Sequence, residues 1–297
     1  MLTKHIKGVI LGPTASGKTA AGVAICQKLG GNIISADSRQ IYRGLHLLAN
    51  KEGEPEVRDG RIVYLKNGIA QYGLDLCDIG ERFTAVSFAE EVQALDNALV
   101  EDLWLVGGTG LYIDMAMTAL EALPEDLAIR TELEQCSDSD LREKALAQPG
   151  VTAELISGLP RRRLIRKLEV AAIQNQWPAE YDFVPSDKSI PWYGIRPKIE
   201  KLEEHITERF SDENLRAMLD EASGLRQAYS DEQLIMLGLW VKDSVEALEN
   251  NLSIDQFRTL VTVHTRQYAK RQLTWWHRHP WIKWFDSADA LIQAVIK

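Results

Sequence analysis

Apolar residues gather in short unbroken runs over the first third of the chain and at helical spacing over the rest. Runs at Ile6–Leu11, Asn32–Ala36 and Leu103–Val106 are too short for helices and predict buried strands. Between them, Ala20–Leu29 and residues 84–100 carry the spacing of helices, with Thr84 suited to cap the second. Residues 56–76 hold two apolar runs around Lys66-Asn67-Gly68, and Asn-Gly at such a place predicts a hairpin. A helix resumes at Leu111. From about Glu121 strand signals fade: residues 125–175 read as charged helices and 176–194, with Pro178, Pro185 and Pro191, as a connector. Residues 198–222, 231–250 and 253–277 predict three further helices.

Strands alternating with helices imply a parallel sheet with its ligand crevice at the strands' carboxyl ends. Gly12, Asp37 and Gly107 fall at such ends and should share one crevice. The expected fold is α/β, a P-loop-like core with a parallel sheet flanked by helices. Residues 1–120 and 191–297 form that core, and 121–190 an inserted all-helical domain.

The segment VILGPTASGKT, Val9 to Thr19, sharpens this. Gly12 is followed by four residues and then Gly17-Lys18-Thr19, the spacing of a phosphate-binding loop. Its glycines let backbone N–H groups of Thr14, Ala15, Ser16 and Gly17 turn toward phosphate oxygens, and the helix behind presents its positive end. Lys18 then reaches the outer phosphates, and the Thr19 hydroxyl holds Mg²⁺.

The 297 residues carry a net charge of −9, which alone discourages a polyanionic partner. The distribution reverses that impression. Residues 256–285 contain Arg258, Arg266, Lys270, Arg271, Arg278 and Lys283 with no acid, and RRRLIRK at 161–167 adds five cations. Two basic patches on an acidic body suit a nucleic-acid groove, although each patch alone also fits a solvated face. Cys26, Cys77 and Cys136 lack ligand spacing and suit a reducing cytoplasm. No run approaches a membrane span, and MLTKHIKGVIL leads straight into the first strand, leaving no room for a signal peptide.

Four places could carry chemistry. Asp37, after the second strand, reads equally as a general base facing the phosphate crevice or as a turn residue. Leu105 to Tyr112, LVGGTGLY, has no acid at its tip, so the usual metal-binding carboxylate of an ATPase is missing; Thr109 remains available for hydrogen bonding. Arg209 lies among Glu203, Glu204 and Glu208, with which surface pairs are the default. Finally, HTRQYAKRQLTWWHRHPWIKW sets four tryptophans among cations. Helical spacing puts Gln267, Arg271 and Thr274 on one face beside Arg266 and Lys270, with Leu273 and Trp275 able to pack inward. Interleaved aromatics and guanidinium groups suit unpaired bases.

GPTASGKT at 12–19, SADSRQIYRG at 35–44, LVGGTGLY at 105–112 and TRQYAKRQLTW at 265–275 occur together and in order. The chain thereby resembles the tRNA dimethylallyltransferases over nearly its whole length. That resemblance implies transfer of a dimethylallyl group from dimethylallyl diphosphate to N6 of the adenosine at tRNA position 37, beside the anticodon. It implies Asp37 as the general base, with Lys18, Thr19 with Mg²⁺, and Arg209 on the diphosphate. It further implies tRNA contacts at Asp37, Ser38, Arg39, Gln40, Thr109, Arg130, Arg162, Arg163 and Arg166. Lys270, Arg271, Gln272 and Trp275 complete them, in a cytoplasmic monomer without an obligatory protein partner.

Three stretches depart from the family pattern. LHLLANKEG follows Gly44 where a Gly-Thr-Ala-Lys-Pro run is usual, with Lys51 as the equivalent cation. The hairpin at 56–76 replaces a different stretch, and Gly238-Leu239-Trp240 stands where Gly-Tyr-Arg is common. The rival readings are a small-molecule P-loop kinase, a prenyltransferase acting on free adenine nucleotides, and a noncatalytic RNA-binding module.

Overall fold

The computed structural model describes residues 3–120, 122–180 and 183–297. The chain divides into two compact units, residues 1–119 with 183–297, and residues 120–182.

The first unit is built on an eight-stranded sheet. β1 (Ile6–Leu11) is followed by α1 (Lys18–Leu29), β2 (Asn32–Ala36) and a short 3₁₀ turn at Leu47–Ala49. β3 (Glu54–Arg58), β4 (Arg61–Lys66) and β5 (Ile69–Tyr72) follow, then α2 (Ala85–Ala98), β6 (Leu103–Gly107) and α3 (Gly110–Met117). The strand order is β3-β4-β5-β2-β6-β1, continued on the other side of β1 by two later strands. β1, β2 and β6 run parallel, with Leu11 and Ala36 both registered on Gly107, so their carboxyl ends lie side by side.

The expected hairpin is a double one. Asn67 and Gly68 adopt positive φ at the anticipated turn, and Asp59 and Gly60 do the same one strand earlier. β3 went unread because its residues are largely exposed and carry no apolar run. The hairpin is pinned from below by Lys51. Its buried ammonium pairs with Asp75 and donates to the Tyr42 carbonyl at 2.6 Å, while the Tyr64 hydroxyl donates to Asp75 at 2.8 Å.

Residues 120–182 hold α4 (Leu127–Gln135), α5 (Asp138–Leu146), α6 (Ala153–Ile156) and α7 (Arg161–Gln174) around Leu133, Leu141, Leu164 and Leu168. Inside, the fully buried Glu169 accepts from the Asp126 N–H and from Arg130, each at 2.9 Å, and pairs with Arg166 at 3.0 Å. Phe183 to Ile190, expected in the insertion, belong instead to the first unit; Phe183 and Ile190 are buried there.

The return of the chain adds β7 (Trp192–Ile195), α8 (Ile199–Arg209), α9 (Asp212–Leu225), α10 (Asp231–Met236), α11 (Leu239–Glu249), α12 (Ile254–Trp276), β8 (Lys283–Phe285) and α13 (Ala288–Ile296). β7 lies beside β1 and β8 beside β7, both parallel. Residues 198–222 thus split at the Ser211 cap, whose hydroxyl accepts from the Asn214 N–H, and 231–250 split at Gly238, where φ is 69°. Among the described residues no helix is long and apolar enough to cross a membrane.

Candidate active site

A solvent-open cavity of about 130 Å³ lies at the carboxyl ends of β1, β2 and β6. Its wall combines Thr14, Ala15 and Gly17 to Ala20 of the phosphate loop and α1 with Asp37, Arg39 and Gln40 after β2, and Gly107 at the end of β6. Arg209 of α8, Leu239 and Trp240 of α11, and Tyr268 of α12 close it.

The phosphate loop is held open from three directions. Gly17 caps α1 in the left-handed region at φ 82°, a conformation cheap for glycine and one that turns the chain into the helix with its first N–H groups free. Ala15 is also left-handed, at φ 61°, and its carbonyl accepts from His205 Nδ1 at 3.0 Å. One turn further along α8, Arg209 Nη1 donates to the Thr14 hydroxyl at 3.2 Å, and its guanidinium lies 5.4 Å from the Trp240 ring centre. Two of the three acids expected to pair with Arg209 are occupied elsewhere, Glu203 with Arg266 and Glu204 with Lys201.

Lys18 donates to the Pro13 carbonyl at 3.2 Å. Burial lowers its pKa to about 8; Asp37 draws it up and Arg209 pushes it further down. Burial also lowers Arg209, against the pull of Asp37. The cavity is therefore cationic at one end, with one carboxylate close enough to be felt by both cations. A dianionic ligand would compensate this unpaired positive charge.

Asp37 is a turn residue that also lines the cavity wall. Its Oδ1 accepts the Arg39 N–H at 2.9 Å in a local turn, and the side chain still faces the cavity. Thr109, at the tip of β6, accepts the Ser38 N–H at 3.0 Å, and its own N–H donates to the Ala36 carbonyl at 3.1 Å. The loop carrying the acid is thus tied to the neighbouring strand. Arg39 donates to Ser38 Oγ at 2.8 Å and lies 5.8 Å from the Tyr268 ring centre; Arg271 lies at the same distance from that ring. Gln40 accepts from Ser35 at 2.6 Å and donates to the Asn50 carbonyl at 2.9 Å, which draws the 3₁₀ turn against the site.

The expected RNA-facing residues divide into two sets. Lys270 and Arg271 are exposed on α12, and Arg162 and Arg163 on α7. Gln272 is buried, and Trp275 half-buried with its indole N–H donating to Asp114 at 2.7 Å. Arg130 and Arg166 are turned onto Glu169, so both act on the interior of their own unit. Tyr268, Trp240 and His205 were not anticipated as site residues. Tyr268 stood inside a quoted motif, and Trp240 at a noted departure. His205 precedes Arg209 by one helical turn, and that spacing was the available signal.

Comparison with known proteins agrees with this geometry. The IPP transferase family model matches residues 40–279. The tRNA dimethylallyltransferase of Nostoc punctiforme is 32% identical over 290 residues, covering 96% of this chain and 92% of that protein. That of Geobacter sulfurreducens is 32% identical over 292 residues, covering 94% and 91%. The crystal structure of the full-length tRNA isopentenylpyrophosphate transferase from Bacillus halodurans is similar with a TM-score of 0.66 at 26% identity, covering 99% of this chain and 95% of that one. With the family model matched over residues 40–279, and Arg209 and Tyr268 of that span lining one cavity with the phosphate loop and Asp37, the chain belongs to the IPP transferase family.

Proposed function

We propose that this protein transfers the dimethylallyl group of dimethylallyl diphosphate to the exocyclic N6 amine of the adenosine at position 37 of tRNA. The observation that carries the reading is that Asp37 shares one cavity with Lys18, Thr19 and Arg209. An allylic diphosphate loses its leaving group when the C–O bond breaks and its electrons pass to the diphosphate. Lys18, Arg209 and the N–H groups at the start of α1 neutralise that growing charge. The adenine amine is a poor nucleophile because its lone pair is spread into the ring. As its nitrogen bonds to the allylic carbon, Asp37 takes the amine proton.

Mg²⁺ prefers hard oxygen ligands and keeps several places for water and phosphate. The Thr19 hydroxyl is an oxygen donor of that kind on the cavity wall, with the remaining places left to phosphate and water, so the site fits the ion. When bound, Mg²⁺ would supply further charge to the diphosphate oxygens.

The target base is stacked in the anticodon loop and must be turned out, at a cost of a few kcal/mol. Lys270 and Arg271 beside the cavity, and Arg162 and Arg163 on the helical unit, offer phosphate contacts that offset it. The working unit in this reading is a monomer, and three unpaired cysteines suit the cytoplasm.

The test is incubation with radiolabelled dimethylallyl diphosphate and unmodified tRNA. Label on the RNA, with diphosphate released, is the expected result. Label on AMP instead, or ATP turnover without prenyl transfer, overturns the reading in favour of a nucleotide prenyltransferase or a kinase.

A further inference from the structure

Gln272 is 6% exposed, near the end of α12 in its basic, aromatic stretch, where a solvent-facing contact to RNA is the natural assumption. Both ends of its amide are instead spent inside the protein. Oε1 accepts the Thr14 N–H at 2.7 Å, and Nε2 donates to the Gly108 carbonyl at 3.0 Å. Gly108 is needed for this approach, since a Cβ there would stand 2.3 Å from Nε2. Each contact leads to one side of the reaction. Thr14 is the residue gripped by Arg209, on the leaving-group side. Gly108 precedes Thr109, which holds the Ser38 N–H next to Asp37, on the amine side.

We propose that Gln272 is a positioning residue that sets the phosphate loop at a fixed distance from the loop of the catalytic acid. This rests on the prenyl-transfer reading above. The distance matters because allylic carbon, diphosphate and amine must line up to within a fraction of an ångström, and a 1 Å misplacement costs about 100-fold in rate. A planar amide suits the task, with an acceptor for one loop and a donor for the other on a single rigid group. The side chain touches neither donor nor RNA.

Two variants test this. Gln272→Met keeps the volume and removes both hydrogen bonds; kcat at saturating tRNA falls about 10- to 100-fold with tRNA affinity unchanged. Affinity for inorganic diphosphate, measured by calorimetry without tRNA, falls several-fold. Gln272→Glu keeps the acceptor for Thr14 but sets a carboxylate against the Gly108 carbonyl. Its turnover relative to wild type recovers as pH falls, because the protonated acid again donates.

A loss confined to tRNA affinity overturns the proposal, as does wild-type turnover in both variants. A Gln272→Glu to wild-type ratio that is flat across pH does the same. If Gln272→Met fails to fold, the pH response of Gln272→Glu decides alone. Absence of prenyl transfer by the wild type would defeat the proposed reaction, and the diphosphate affinities would still decide on Gln272.

Discussion

Arg209 reaches across 195 positions of sequence to the Thr14 hydroxyl, so the end of α8 and the phosphate loop form one cationic cradle. Its guanidinium lies over the Trp240 ring, 5.4 Å from the ring centre. Lysine lacks the flat, delocalised cation that this contact uses. Arg209→Lys should lower kcat/KM for the diphosphate donor by about 100-fold or more, as for loss of one strong transition-state donor. Thermal unfolding of the variant should change little. Steady-state kinetics at fixed tRNA checks this, and near-normal turnover would place the diphosphate elsewhere.

Asp37→Asn preserves an acceptor for the Arg39 N–H and the shape of the turn while removing the base. Turnover should drop by about 10² to 10⁴ with tRNA affinity held within twofold. Single-turnover rates and filter binding, run side by side, separate these quantities. Equal losses in both would make Asp37 a structural residue.

Lys18 gives the reaction a pH limb. Its folded pKa is lowered by burial to about 8 from 10.5, so the unliganded cation is lost as pH rises past 8. The donor needs that cation, and kcat/KM for dimethylallyl diphosphate should fall by one proton above about pH 8. The sign for folding is opposite. Between pH 8 and 10.5 the unfolded chain holds a proton that the folded chain has shed, so the unliganded protein gains stability there. Lys18→Met should abolish both trends. A pH–rate profile and urea unfolding across this range test them.

Asp114 is completely buried and bridges two C-terminal side chains, accepting the Trp275 indole N–H at 2.7 Å and holding His279 Nε2 at 2.8 Å. Asp114→Leu leaves the buried His279 and the half-buried Trp275 indole without their acceptor, which costs about 2–5 kcal/mol. The urea midpoint should shift accordingly. An unchanged midpoint would mean that the surrounding tryptophans hold this end of the chain without the carboxylate.

Much of the fold was legible because the elements concerned carry local signals. The runs at β1, β2 and β6 are buried on both faces, Thr84 caps α2 with its hydroxyl on the Ser87 N–H, and α12 keeps its period throughout. What escaped depends on partners distant in sequence. WYGI at β7 is four residues long behind Pro191 and is a strand because β1 offers an open edge; KWF at β8 follows for the same reason. The phosphate loop was readable because its geometry is local. The placement of Arg209 was legible only through the family resemblance, since three acids stood closer in sequence than Thr14. Only the packing of α8 against the phosphate loop decides between them.

β1 lies between β6 and β7, and β8 completes that side of the sheet from residues 283–285. The loop that grips phosphate is therefore flanked by a strand made almost two hundred residues later, and α1 behind it packs on α13, with Gly17 beside Ala288. During synthesis, a ribosome that has already delivered GPTASGKT is still holding a chain that cannot close its own cleft. Folding must wait for the last elements to emerge, and long-range closure of this kind is slow. Competence to capture a diphosphate thus arrives together with the finished sheet.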